Sequence, residues 1–176
     1  MKKKGTVKEI LDWARYIAIS LFLAFVINHA VIAQAKVVSS SMESTIMTGS
    51  RIIGSRLAYL IGQPERFDII LFRPPDDETS IPYVKRIIGL PHEKVEIIAG
   101  KVYINDSDTP LDDSFINEEA YGDYGPYTVP EGCYFVLGDN RNRSSDSKNW
   151  TNKFVPKGNI MSKILVEYFP TPKLFD

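Results

Sequence analysis

Cysteine is nearly absent: the 176 residues hold one, Cys133, which excludes an internal disulfide and any cysteine-based zinc cluster. Histidine is scarce too. With only His29 and His92, a metal site and a Ser–His–Asp triad both lack material, since His29 falls in an apolar run and His92 follows Pro91 at the end of a strand-like segment. Neither sign of charge is in excess: 21 basic residues face 22 acidic ones for a formal net charge of -1, so the footprint of a nucleic-acid binder is missing. No repeat period is visible. Without a disulfide the redox compartment stays open.

What is present begins with one long apolar run. Residues 16–33 read YIAISLFLAFVINHAVIA, close to the ~20 apolar residues that cross a bilayer and interrupted only by Asn28 and His29 near one end. Lys2, Lys3, Lys4, Lys8 and Arg15 precede it, so the positive-inside tendency keeps the N-terminus cytoplasmic and puts everything after residue 35 outside. A cleaved signal peptide is the competing reading, because Ala33-Gln34-Ala35 mimics a small-residue cleavage site, but the run exceeds the ~7–15 residues of a cleaved core. The expected division is residues 1–35 as N-terminus and transmembrane anchor, and 36–176 as an extracytoplasmic β-rich domain.

Beyond the anchor, short β-type runs alternate with turn signals. Residues 66–73, 83–90 and 133–137 read as strands, and 94–98 with 101–105 flank Ala99-Gly100 as a hairpin. Pro74-Pro75-Asp76-Asp77 is a loop, because paired prolines cannot join a central ladder, and 106–127 reads as a long excursion.

Three segments carry groups capable of chemistry: residues 39–46 (SSSMESTI), 83–91 (YVKRIIGLP) and 138–148 (GDNRNRSSDSK). Strand alternation puts Tyr83, Lys85 and Ile87 on one face and Val84, Arg86 and Ile88 on the other, so whichever face is inward buries a basic group. Only lysine can readily lose its proton there, because guanidinium stays charged at any biological pH. Lys85 is therefore the candidate base. Desolvation can lower a buried lysine by up to about 3–5 pKa units, enough for a neutral amine to deprotonate a serine hydroxyl as it attacks a carbonyl. Which of Ser39, Ser40 and Ser41 attacks is not distinguishable by composition.

The three segments in this order, after one anchor, resemble the bacterial type I signal peptidases over nearly the whole chain. Ser41-Met42-Glu43-Ser44-Thr45-Ile46 is similar to the family's Ser-Met-x-Pro-Thr-Leu, Lys85 through His92 to its Lys-Arg-x-x-Gly-x-Pro-Gly, and Gly138 through Lys148 to its Gly-Asp-Asn-Arg-x-x-Ser-x-Asp-Ser-Arg. The resemblance implies Ser41 as nucleophile and Lys85 as base, Ser39 with the Ser41 N–H as oxyanion donors, and Ser144 as the hydroxyl that orients the lysine. It further implies a structural ion-pair cluster of Arg86 and Asp146 with Lys148, and Val37, Met42, Ile46, Tyr83 and Val84 as the lining of shallow pockets.

The fold so implied is mostly β, an antiparallel, barrel-like catalytic domain after one transmembrane helix. The implied activity is removal of signal peptides from exported preproteins after Ala-x-Ala, at a bacterial cell membrane, with no metal or organic cofactor. Several positions depart from the pattern: Ser44 stands for proline, His92 for glycine and Lys148 for arginine, and Trp150-Thr151 replaces an aromatic-Gly step. Two other readings use the same residues, namely a different Ser–Lys endopeptidase of the self-cleaving repressor kind, and a catalytically silent anchored binding domain.

Overall fold

The protein is described from a computed structural model covering residues 3–76 and 81–175, with side chains from residue 7 onward; Lys2 and Asp77 lie outside the described residues. Helix α1, Lys3–Val26, continues as a π-helical turn, Ile27–Val31. Residues Val7–Val31 form one exposed apolar helix of 25 residues, about 37 Å at ~1.5 Å per residue, enough to cross a hydrocarbon core of ~30 Å.

There is no linker after it. Strand β1, Ile32–Lys36, begins at the next residue and pairs antiparallel with β2, Arg51–Ser55. Hydropathy alone assigns residues 32–35 to the anchor; the structure gives them to the domain, where Ala33 is buried beside Met42, Ile52 and Ile164. An apolar run reads the same whether lipid or a protein core covers it. The Arg56 N–H and Nε donate to the carbonyls of Val31 and Ile32 at 2.8 and 3.1 Å, tying the helix exit to the end of β2.

The domain is a curled half-barrel with every strand pair antiparallel. Its eight-stranded sheet adds β3 (Ile69–Phe72), β4 (Tyr83–Gly89), β8 (Cys133–Leu137), β9 (Val155–Pro156), β10 (Ile160–Phe169) and β11 (Lys173–Leu174), in the order β1-β2-β10-β3-β4-β8-β9, with β11 beside β10. A short helix α2, Ala58–Ile61, follows β2. A smaller sheet holds β5 (Lys94–Ile98), β6 (Lys101–Ile104) and β7 (Tyr124–Thr128), with β5 central. The expected excursion over 106–127 is thus shorter, because its end forms β7 on β5 despite Gly125 and Pro126.

All four residues of β3 are buried, Ile69 and Leu71 in one apolar cluster and Ile70 and Phe72 in another. Such a strand is covered on both faces. Its neighbour β4 is likewise covered, so Lys85 and Arg86, on opposite faces, are both buried, where alternation requires only one.

His92 adopts φ 70, the left-handed region expected of a glycine position, with its side chain exposed. A left-handed L-residue costs about 1–2 kcal/mol, and glycine's extra unfolded-state freedom offsets about 0.4–1 kcal/mol of the relief. His92→Gly should therefore stabilise the domain by about 0.5–1 kcal/mol in urea unfolding. A loss of stability would mean that the imidazole makes an interaction stronger than the strain.

Candidate active site

Ser41 lies in a 3-10 turn, Ser40–Met42, five residues past the end of β1. The turn is clamped from the other side of the domain: Asn140 donates its N–H to the Ser41 carbonyl and its Nδ2 to the Ser40 carbonyl, each at 3.0 Å. Gly138 makes this approach possible. A Cβ there would sit 2.3 Å from the Ser41 carbonyl oxygen and 2.2 Å from Ser144 Oγ, so only glycine lets the two segments touch. Past the serine, Ile46 N–H donates to the Met42 carbonyl at 2.8 Å and Thr48 Oγ1 to Glu43 Oε1 at 2.7 Å. These bonds restrain the stretch where Ser44 replaces the family's proline.

Lys85 sits opposite Ile70 in the β3–β4 ladder and is 3% exposed. Its Nζ donates to Ser41 Oγ at 2.5 Å, and Ser39 Oγ stands 3.3 Å from the same oxygen. Burial lowers the lysine pKa to about 8; Asp146 and Asp139 oppose that fall and Lys148 adds to it. Burial thus holds the Lys85 ammonium where losing its proton is easier than in water.

A cleft of about 930 Å³ opens over this pair. It is lined by residues 33–42 and 81–85, together with Leu71 and Met161. Of the five expected lining residues, Val37, Met42, Tyr83 and Val84 are in the walls. Ile46 is not: it is fully buried against Ile52 and Ile69, because the turn after Ser41 folds it beneath the sheet. Leu71, Ile81, Pro82 and Met161 went unmarked in the sequence, being ordinary apolar residues in strands and loops.

Two expected contacts are not formed. Ser144 Oγ is buried with no hydrogen-bond partner among the described residues, so it does not hold the Lys85 amine. Arg86 does not pair with Asp146. It forms a bidentate fork with Asp139, Nε to Oδ1 at 2.9 Å and Nη2 to Oδ2 at 2.7 Å, while Asp146 pairs with Lys148, whose Nζ lies 3.1 Å from each carboxylate oxygen. Lys148 also reaches the Ser144 carbonyl at 3.2 Å, so one ammonium spans the loop where a guanidinium fork is usual. Asp146 Oδ2 in turn accepts from the Gly138 N–H at 3.0 Å. Asp139 and Asn140 are the support residues that motif reading passed over. No group of acidic, histidine or cysteine side chains able to hold a metal occurs among the described residues.

The sequence matches the family model described as "Signal peptidase, peptidase S26" over residues 10–169. A probable signal peptidase I-2 of Synechocystis is 35% identical over 98% of this chain and 80% of its own length. The signal peptidase I of Bacillus licheniformis is 36% identical over 84% of each chain. A solved signal peptidase I from Enterococcus faecalis shares 37% identity over 58% of this chain and 97% of its own, with a TM-score of 0.47. With a matched span that contains the serine, lysine and glycine-aspartate segments together, the chain belongs to the signal peptidase family, peptidase S26.

Proposed function

We propose that the protein is a membrane-anchored endopeptidase that removes N-terminal signal peptides from exported preproteins by a Ser41–Lys85 dyad. The observation that carries this reading is the 2.5 Å contact between a buried lysine of lowered pKa and a serine oxygen, both residues lining the cleft.

The neutral Lys85 amine accepts the Ser41 hydroxyl proton as Oγ attacks the scissile carbonyl. The resulting oxyanion is met by Ser39 Oγ and the Ser41 N–H. Collapse gives an acyl-enzyme ester, with the Lys85 proton passing to the leaving amine; a water deprotonated by the same lysine then hydrolyses the ester. Val37, Met42, Tyr83 and Val84 give the cleft an apolar lining for the side chains before the cut, and β1, the terminal strand of the sheet, offers an edge on which an extended Ala-x-Ala segment can pair. With the N-terminus cytoplasmic, the cleft works on the outer face of the membrane.

The test is cleavage of a preprotein bearing Ala-x-Ala before its cut site, by full-length protein in detergent, against Ser41→Ala. Cleavage by the wild type alone is expected. A wild type that leaves the substrate whole, across several preproteins, would sink the enzyme reading in favour of an anchored binding domain.

A further inference from the structure

The excursion after β6 lies outside the cleft lining, yet part of it is packed onto the supports of Ser41. The Phe115 ring faces the Arg86 guanidinium at 4.2 Å and that of Arg141 at 5.8 Å, and meets Phe67 edge-on at 5.7 Å. These are not idle arginines. Arg86 holds Asp139 by its fork and the Phe67 carbonyl through Nη1 at 2.9 Å, and the next residue, Asn140, carries both hydrogen bonds to the Ser40 and Ser41 carbonyls. Arg141 opens the 3-10 turn Arg141–Arg143 directly behind that clamp. Its Nε and Nη1 are buried without a hydrogen bond among the described residues, so the Phe115 face and the Asp113 carboxylate at 4.0 Å are what its guanidinium rests on. The same turn is gripped once more, where Asn142 Nδ2 donates to the Glu119 carbonyl at 3.0 Å and its Oδ1 accepts from the Tyr121 N–H at 3.3 Å.

We infer that residues 106–123 act as a strap that sets the position of Ser41, with Phe115 as the positioning residue that locks the two buried arginines behind Asp139 and Asn140. The inference rests on the dyad reading of the same site. An aromatic face over a guanidinium restrains its plane as well as covering it, which an aliphatic chain of similar size does not. The plane of Arg86 fixes the Asp139 fork, and the fork fixes where Asn140 presents its two donors. Reaction rate falls steeply with misplacement of the attacking atom, about 100-fold for ~1 Å, so a small slackening behind the clamp is read in turnover.

The experiment compares full-length wild type, Phe115→Leu, Phe115→Tyr and Ser41→Ala on one preprotein in detergent, with kcat referred to the folded fraction read by circular dichroism. Phe115→Leu is expected to lower kcat roughly tenfold with KM changed less than twofold, and Phe115→Tyr to restore kcat to within twofold. Should Phe115→Leu not fold, Asn142→Ala decides instead, with an expected drop in kcat of about threefold at unchanged KM.

An unchanged kcat per folded molecule beside a dead Ser41→Ala means a purely structural strap and overturns this inference alone. A rise in KM at unchanged kcat means that the strap touches substrate, and overturns it as well. Full cleavage by Ser41→Ala removes the dyad and the inference with it.

Discussion

Replacing Lys85 by methionine is expected to abolish cleavage and, at pH 7, to make the folded protein more stable. The loss should be about 10⁴-fold or more in kcat, the scale on which removing a member of a nucleophile–base pair acts. The gain follows from the sign of the pKa shift. Lys85 titrates at about 8 in the folded protein against 10.5 when exposed, so between these values the unfolded chain binds more protons and wild-type stability rises with pH. Below pH 8 the cost of burying the charged amine is fully present, about 3 kcal/mol at ~1.4 kcal/mol per unit, and above pH 10.5 it is gone.

Methionine has similar length and no charge to desolvate. Urea unfolding should therefore show Lys85→Met ahead of the wild type by about 2–3 kcal/mol at pH 7, with the gap closing as pH rises from 8 to 10.5. Two independent readouts are thus tied to one side chain. Residual cleavage near the wild-type level would refute the base; a variant less stable at pH 7 would refute desolvation as the cause of the shift.

The second large effect is on pH. Only the neutral amine can accept the Ser41 proton, and with a pKa of about 8 the neutral fraction is about one tenth at pH 7 and about one hundredth at pH 6. The kcat/KM profile should have its inflection near pH 8 and approach a tenfold fall per pH unit below it, giving roughly a 50-fold loss between pH 8 and pH 6. The groups that set this inflection are few. Asp146 and Asp139 pull it upward and Lys148 downward, so Lys148→Met is expected to move the acid limb to higher pH. A limb that stayed flat down to pH 6 would exclude a lysine base. A limb displaced downward in Lys148→Met would mean that loosening Asp146 matters more than removing the like charge.

How much of this was legible beforehand depended on the distance over which each residue's partners lie. Lys85 could be singled out because alternation and titration chemistry are both local properties of its own strand. That Arg86 is buried as deeply could not, since it takes the clusters on both faces of β3 and β4 to cover it. The pairing of Arg86 with Asp139 rather than Asp146 spans 53 residues, and a motif holding two aspartates gives no rule for choosing between them.

Ser144 shows the opposite limit. Its type and place suit a hydroxyl held to the lysine, but its oxygen is turned against Gly138. Strands β2 and β10 do not stand out in the sequence, because Arg51–Ser55 is interrupted by Gly54, and the first half of Ile160–Phe169 carries Ser162 and Lys163 among its apolar residues. Gly54 is needed there: a Cβ would come within 2.7 Å of the Lys163 carbonyl on β10. The position that hides the strand from propensity is the one that lets its neighbour approach.

The join between Val31 and Ile32 has a further consequence. With helix passing directly into strand and Arg56 bonded across the join, the junction restrains the domain against swivelling on the helix. An enzyme on a flexible tether would sample substrates from many approaches; this one, under the proposed topology, meets them as partners diffusing in a shared plane, with its cleft at one height and one heading. Its encounter with a signal peptide then becomes a two-dimensional search in which lateral density, rather than concentration in the surrounding fluid, sets how often cleavage begins. Inserting a few Gly-Ser residues between Val31 and Ile32 would trade that fixed heading for freedom of approach.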